Sequence, residues 1–476
     1  MPLSRSRNFL LNLLYLWNFY QLTTLSWPND TINFAKKCVY WVTSFVILIR
    51  QQLRSCGRIR MQRIMSKTLS FPALRVPVFR NYLFGAFISE MGNQMQTVAV
   101  AWQIYELTRN PLYLGLIGVA NFVPIMIFSL FGGLAADKLD RRKLLICSLF
   151  VQTVMALILF YLSQTNQISP TLIYLILFFV ATAQSFSVPA RSAIFPNLVP
   201  RQFFMNAVSL HTLQFQSATL IGPAVAGFLI AGLSVSTVYL VNAFSFTFFI
   251  VSVLLIKVPV FNHDKIVAFN LNSLKEGVKF VISTPILYST MVLDFLATFF
   301  GTATILMPVF AKDVLQVGPA GLGLLYSAPA VGGVAAGLIL SSLNNIKNQG
   351  KIILGAVLLY GAATIGFGMS KFLPLSIFFL ILVGLGDMTS SIVRNTVRQM
   401  ITPDHLRGRM VSIMRLFFQG GPQLGEIEAG FLAKVIGGPA TVVVGGVGVI
   451  LITSLIAWKN KSLRNFHHGK DDNLVT

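Results

Sequence analysis

About twelve apolar runs of roughly 20 residues, parted by short polar punctuation, fill this 476-residue chain from residue 81 to residue 458. Each is long enough for a helix to cross the hydrocarbon core of a bilayer. Their approximate limits are 81–106, 112–136, 142–163, 170–190, 203–231, 235–256, 286–311, 319–342, 351–370, 373–397, 409–433 and 436–458. The one long polar interruption, 257–285, carries Lys257, His263, Asp264, Lys265, Lys275, Glu276 and Lys279 and divides the runs into six and six. The pattern predicts an all-α integral membrane protein. Its expected layout is a helical half over 71–256, a linker over 257–285, a second half over 286–460 and a tail over 461–476.

Composition agrees. With 55% hydrophobic residues, 11% charged and a mean hydropathy of +0.72, a water-soluble fold would leave its surface largely apolar. A net charge of +22 would suggest a nucleic-acid partner in a soluble protein, but here Lys and Arg gather in short loops, where they orient helices. From Arg75 onward, 22 of them fall on one set of alternate loops; the other set holds Arg109, Lys312, Lys371 and Lys434. The bias places the start of the first span, the linker and the C-terminus in the cytoplasm. Cys38, Cys56 and Cys147 lie far apart and imply neither zinc nor a disulfide framework. The sequence has no P-loop, HExxH, GxSxG or metal-ligand cluster, so neither ATP-driven transport nor enzymatic catalysis is expected, and no cofactor.

The two sets of spans repeat. Asn110-Pro111-Leu112-Tyr113-Leu114-Gly115-Leu116 matches Gly318-Pro319-Ala320-Gly321-Leu322-Gly323-Leu324 at an offset of 208 residues, as Lys143 matches Lys351. Arg191, Pro200, Val208 and Ser209 match Arg394, Pro403, Val411 and Ser412 at an offset of 203. A parallel duplication of six spans places a substrate path between the halves near the midplane.

Between the second and third spans lies a charged hairpin, Gly133-Leu134-Ala135-Ala136-Asp137-Lys138-Leu139-Asp140-Arg141-Arg142-Lys143. Gly133 is expected to let helices approach closely, and Asp137 to pair with Arg141 or to cap a helix start. In the second half Asp137 falls on Asn345, and Arg141 and Arg142 on Gln349 and Gly350, so the charged form occurs once. Topology determination by basic residues accounts for Lys138, Arg142 and Lys143 equally well, though not for Asp137. The segment resembles the loop between helices two and three of the major facilitator superfamily of secondary transporters, whose pattern usually has Gly where this chain has Asp140. The resemblance implies twelve transmembrane helices in two six-helix halves, and a gating motif of Gly133, Asp137, Lys138, Arg141 and Arg142 that latches the cytoplasmic side in the outward-facing state.

In the fifth span, Gly222-Pro223-Ala224-Val225-Ala226-Gly227 removes a backbone donor and side-chain bulk, so the helix is expected to bend and pack closely there. It is similar to the Gly-Pro motif of drug and proton antiporters, which in that family marks exporters. The eleventh span has a related Gly420-Gly421-Pro422-Gln423-Leu424-Gly425. Ser89-Glu90-Met91-Gly92-Asn93, Tyr105-Glu106-Leu107-Thr108, Asn197-Leu198-Val199-Pro200 and Leu406-Arg407-Gly408-Arg409 extend the likeness over about 75–460. Together they resemble the drug and siderophore exporter branch, which contains the bacterial enterobactin exporter and macrolide efflux pumps. Members often carry an acid at the position of Asn93, and no proton role is carried over to it.

Polar residues inside spans mark the chemistry. Glu90, Asn93, Gln94 and Thr97 share one stripe of the first span; Asp387, Ser390, Ser391, Arg394 and Arg398 share one of the tenth; Arg415, Gln419, Gln423 and Glu426 one of the eleventh. A charge at the bilayer centre costs about 2.5–3.5 kcal/mol on insertion scales, so such a group faces a cavity or a partner. Glu90, Asn93, Gln94, Asp294, Asp387, Arg415, Gln419, Gln423 and Glu426 are therefore candidates for a proton or substrate cavity. Holding helices together by hydrogen bonds is the competing role, and Asp387 could simply neutralise Arg394.

Residues 1–70 hold ten Lys and Arg and one acid, Asp30, with apolar runs near 9–27 and 38–49 that are broken or short. They fit an upstream translation artefact, with the start at Met61 or Met65, or a basic membrane-surface segment. The leading function is a proton antiporter that exports a small amphipathic molecule, siderophore or drug-like, by alternating access, as a monomer in the inner (plasma) membrane with lipids around it. An importer or lysolipid flippase on the same fold is the alternative, and a non-transporting receptor or scaffold a more distant one. In a background freed of native cysteines, single cysteines at 109 and 371 should react with an impermeant reagent outside intact cells; reaction at 265 would break the six-plus-six topology.

Overall fold

The structure, a computed structural model, describes residues 71–256, 278–301, 304–343 and 348–466. Residues 1–70, the linker stretch 257–277 and the tail beyond 466 lie outside the described residues, as do the side chains of Asp137, Arg415 and Gln419. Twelve helices of 17 residues or more are described: α1 Pro77–Thr108, α2 Pro111–Lys138, α3 Arg141–Gln164, α4 Pro170–Ile194, α5 Phe204–Gly232, α6 Val235–Leu254, α7 Pro285–Gly301, α8 Gly318–Ser342, α9 Gln349–Met369, α10 Leu373–Ile401, α11 Asp404–Ile436 and α12 Gly438–Lys459. Ten are long and apolar enough to cross a membrane. The other two, α1 and α11, have ample length at 32 and 33 residues, but polar stripes dilute their hydropathy.

The punctuation residues start the helices. Asn110 accepts from the Leu112 amide ahead of Pro111, Ser169 from Leu172 ahead of Pro170, and Ser234 from Thr237. Asp140 accepts from the amides of Arg142 and Lys143 at the start of α3. Asp140 caps α3 because it directly precedes the first helical turn, while the roles expected of Asp137 fall on a side chain outside the described residues. The expected seventh run, 286–311, lies within a candidate span over Pro285–Val314, in which α7 is described to Gly301 and short turns over Thr304–Leu306 and Met307–Val309 precede a π-turn, Phe310–Val314. Pro308 has no amide to donate to the preceding turn.

Packing repeats with the helix number. In the first six, α1 packs on α5 and α6, α2 on α4, and α3 on α4 and α6; adding six to each number gives the packing of the second six. Two clusters of buried apolar side chains follow the same division, one between Ala73 and Ile256 and the other between Ile286 and Phe466.

Among the described residues, α2 with α11 and α5 with α8 make the extensive contacts between the two sets. Both seams run through glycine. A Cβ on Gly227 would lie 2.6 Å from the Pro319 carbonyl oxygen and 2.9 Å from the Gly323 Cα, and one on Gly115 would lie 2.9 Å from the Gly430 Cα. These residues sit near the ends of α2, α5, α8 and α11 on the side that carries Arg109. At the opposite, hairpin end, Gly133 and Gly337, 204 residues apart, face open space. Gly133 therefore makes no close approach in this state; its neighbour Gly132 does, against the Ser185 carbonyl of α4. Gly227→Ala should lower the thermal unfolding midpoint of the purified protein, by about 1–3 kcal/mol of overpacking. Gly133→Ala should leave the midpoint unchanged or raise it.

Candidate functional site

The polar stripe of α1 meets α4. Glu90 accepts a hydrogen bond from Gln94 one turn on, at 3.3 Å, and lies 4.0 Å from the Arg191 guanidinium of α4. Both side chains of that pair are about one-fifth exposed. Arg191 also stacks 4.8 Å over the ring of Phe249, and its Nε, buried, has no hydrogen-bond partner. Asn93 and Gln94 are half-buried, and Thr97 is exposed and donates to the Asn93 carbonyl. Other polar residues of α1 bind neighbouring helices: Gln96 accepts from Asn242, and Gln103 bridges Tyr239 and Ser163.

In the second set the same arrangement is tight. Asp294 of α7 accepts from Arg394 at 2.7 Å and from Arg398 at 3.2 and 3.3 Å, with the aspartate side chain 6% exposed and the arginines 3% and 2%. Arg398 also donates to the backbone carbonyl and the hydroxyl of Thr290. Asp294 does not line an open cavity, contrary to expectation: two guanidiniums enclose it. Nor does Asp387 neutralise Arg394 by contact. It is solvent-accessible and close enough to feel the charges of Arg394 and Asp294, but no ion pair to it forms among the described residues. The expected stripe of α10 thus divides, with Asp387 exposed, Ser390 buried, and Arg394 and Arg398 buried and bonded to α7.

Glu90 and Asp294 are 204 residues apart, and Arg191 and Arg394 are 203 apart. Each set of six helices carries an acid on its first helix and an arginine on its fourth, loosely joined in one and locked in the other. The sequence pattern places Arg394 and Arg398 on the α10 stripe with Asp387 as the partner weighed for Arg394, counts Arg191 as an orientation charge, and misses this pairing. The repeat offset that aligned Arg191 with Arg394 was the signal that could have found it.

On α11, Gln423 and Glu426 lie beneath the α2 seam, where the Gln423 carbonyl and the Glu426 Cβ press on Gly118. Glu426 is half-buried, forms no ion pair among the described residues, and is near enough to Tyr326 of α8 to interact with its ring hydroxyl. The Oε1 atom of Gln423 is buried without a partner. The Gly-Pro motif of α5 packs on both sides: Gly222 on Met91 and Gln94 of α1, and Gly227 with the Pro223 carbonyl on Gly323 of α8. At the hairpin, Arg141 donates to the carbonyls of Ala136 and Ala193 and Arg142 to those of Val253 and Leu254, which ties together the C-terminal ends of α2, α4 and α6. Lys138 lies at the end of α2, exposed.

Residues 68–473 match the family described as transmembrane secretion effector, of the major facilitator superfamily. The chain belongs to this family. Its relatives include a staphyloferrin A transporter of Staphylococcus aureus, 27% identical over 80% of this chain and 96% of the relative. A multidrug efflux pump, Tap, of Mycolicibacterium fortuitum is 27% identical over 75% of this chain and 90% of its own. An enterobactin exporter, EntS, of Salmonella choleraesuis is 26% identical over 82% and 94%. Among solved structures, a bacterial homologue of the human lysosomal transporter Spinster superposes with a TM-score of 0.65 at 14% identity, over 82% of this chain and 98% of that one. A bacterial homologue of ferroportin gives 0.63 at 14% identity, over 80% and 98%. This protein is a multi-pass membrane transporter of the major facilitator fold and not an enzyme.

The buried cluster sets a clear contrast in stability. Asp294→Asn leaves two buried guanidiniums without their carboxylate and should cost about 3–5 kcal/mol. Glu90→Gln breaks a loose, partly hydrated pair and should shift the thermal midpoint far less. Thermal unfolding of both variants in detergent, followed by intrinsic fluorescence, checks this; equal losses would contradict it.

Proposed function

We propose that the protein exports a small amphipathic molecule, siderophore or drug-like, in exchange for protons, by alternating access between two halves, 71–256 and 286–460. The observation that carries this reading is the set of carboxylates left without a tight partner inside the bundle, Glu90, Asp387 and Glu426, beside a counterpart, Asp294, that is fully locked. Glu90 has only a loose pair with Arg191, and Asp387 and Glu426 form no ion pair among the described residues, whereas Asp294 is bound by two buried guanidiniums; acids so loosely held suit a coupling role. The names of the staphyloferrin A, Tap and enterobactin relatives favour export of siderophores or drugs.

The seams give the motion its hinge. The close glycine contacts at the Arg109 end, against Gly133 and Gly337 with no neighbour at the other, support reading this state as one that opens toward the hairpin end. The charge bias of the loops makes that end cytoplasmic, with the linker and the C-terminus on the same side. Export then requires the seams to part and the hairpin end to close. Gly133, Asp137 and Lys138 supply the surface that meets the second half, and Arg141 and Arg142 hold it to the first. The protein works as a monomer in the inner membrane, because the substrate path lies between halves of one chain.

Glu90→Gln and Glu426→Gln mimic neutral acids. In proteoliposomes, each should lower efflux driven by a pH gradient by about tenfold or more while leaving substrate binding measurable. Undiminished drive in both variants would remove these residues as the coupling site.

A further inference from the structure

At the closed end of the bundle, two segments from opposite sets of helices exchange charges. The last turn of α1 brings Tyr105, Glu106 and Arg109; the π-turn Phe310–Val314 after α7 brings Lys312 and Asp313. Lys312 donates to the Glu106 carboxylate and lies 5.2 Å over the ring of Trp102. The Tyr105 hydroxyl donates to Asp313, and the Arg109 guanidinium lies 3.7 Å from the other oxygen of the same carboxylate. Every contact joins the first six helices to the second six.

The backbone on both sides is shaped for this meeting. Arg109 ends α1 in the left-handed region, with φ of 51°, which turns its side chain out of the helix and toward Asp313. In the facing segment, the π-turn closes over one residue more than an α-helical turn, so the adjacent Lys312 and Asp313 both reach α1. Such turns are rare and cluster at functional sites.

Charge placement excludes a purely topological role. Loops on this side hold four Lys and Arg, and two of them are used here; the whole chain has 15 acids, and two of those answer them. Cations that merely oriented helices would have no need of carboxylates or of a tyrosine. The carboxylates stay within reach of water: the Arg109 and Asp313 side chains are 59% and 44% exposed, and Glu106 is 41% exposed opposite a Lys312 that is 15% exposed. Ion pairs so hydrated bias an equilibrium without trapping it.

We propose that Tyr105, Glu106 and Arg109 with Lys312 and Asp313 form a breakable ionic latch, which closes the outer end of the transporter and releases once per cycle. The inference rests on the alternating-access reading above. It adds a second closing element at the end opposite the 133–143 hairpin, with the glycine seams beside it as the apolar part of the same seal.

The test uses the full chain freed of Cys38, Cys56 and Cys147, with Thr97→Cys as a reporter on the polar stripe of α1. Neutralising the latch with Glu106→Gln and Lys312→Gln should raise labelling of the reporter by an impermeant maleimide from outside. The rise should be about two- to fivefold, the population shift that partly hydrated ion pairs supply. The charge-swapped pair, Glu106→Lys with Lys312→Glu, should return labelling toward the parent rate. Oxidative cross-linking of Glu106→Cys to Lys312→Cys should stop efflux, and reductant should restore it. Unchanged labelling in the neutralised variant, or full efflux by the cross-linked protein, would overturn the latch. A parent chain that exports no siderophore or drug would sink the exporter reading, while labelling would still decide the latch.

Discussion

A charge inside a membrane bundle must have a partner or a use, and that constraint orders this structure. Asp294 meets it with two buried arginines that fasten α7 to α10. Its counterpart, Glu90, has one arginine at 4.0 Å and a glutamine, both partly hydrated. The same architectural position is thus a rivet in one half and a loose joint in the other. The asymmetry is what the proposed exchange would draw on, with one half held firm and the other carrying a loosely held acid.

Between the two sets the constraint reverses, and the structure avoids side chains. Helices in lipid gain little from hiding apolar surface against one another, so association depends on close backbone approach. Gly115 against Gly430 and Gly227 against Gly323 supply it at one end. Contacts of this kind carry no charge that must be desolvated and no large side chain that must find a new rotamer, so they can part and re-form. The ionic contacts of Glu106 and Asp313 sit beside them where water can reach, and add direction to an otherwise featureless seal.

The hairpin at the other end works by a different rule. Arg141 and Arg142 donate to carbonyls at the ends of α2, α4 and α6. They orient the chain and also bind three helix ends of one set into a block, which gives the cluster a structural purpose within one half of the protein. Asp140 shares in this by capping α3, although it replaces the glycine usual in this loop.

The sequence alone determined the helices, their approximate ends and their duplication, because hydropathy, proline and capping residues act over a few neighbours and leave a periodic trace. It also picked out the polar stripes that dilute α1 and α11. Which way each stripe looks was decided by the tertiary structure. Asp294 and Asp387 read alike in sequence, as acids in apolar runs, yet one is enclosed by Arg394 and Arg398 and the other is open to solvent. Gly133 and Gly227 both read as sites of close approach, but only Gly227 touches another helix, because close approach depends on the state of the whole bundle. Likewise Arg109 and Lys312 are ordinary loop cations until the fold brings together residues some 200 positions apart. Partnership across that distance is a property of three-dimensional packing, and no local pattern records it.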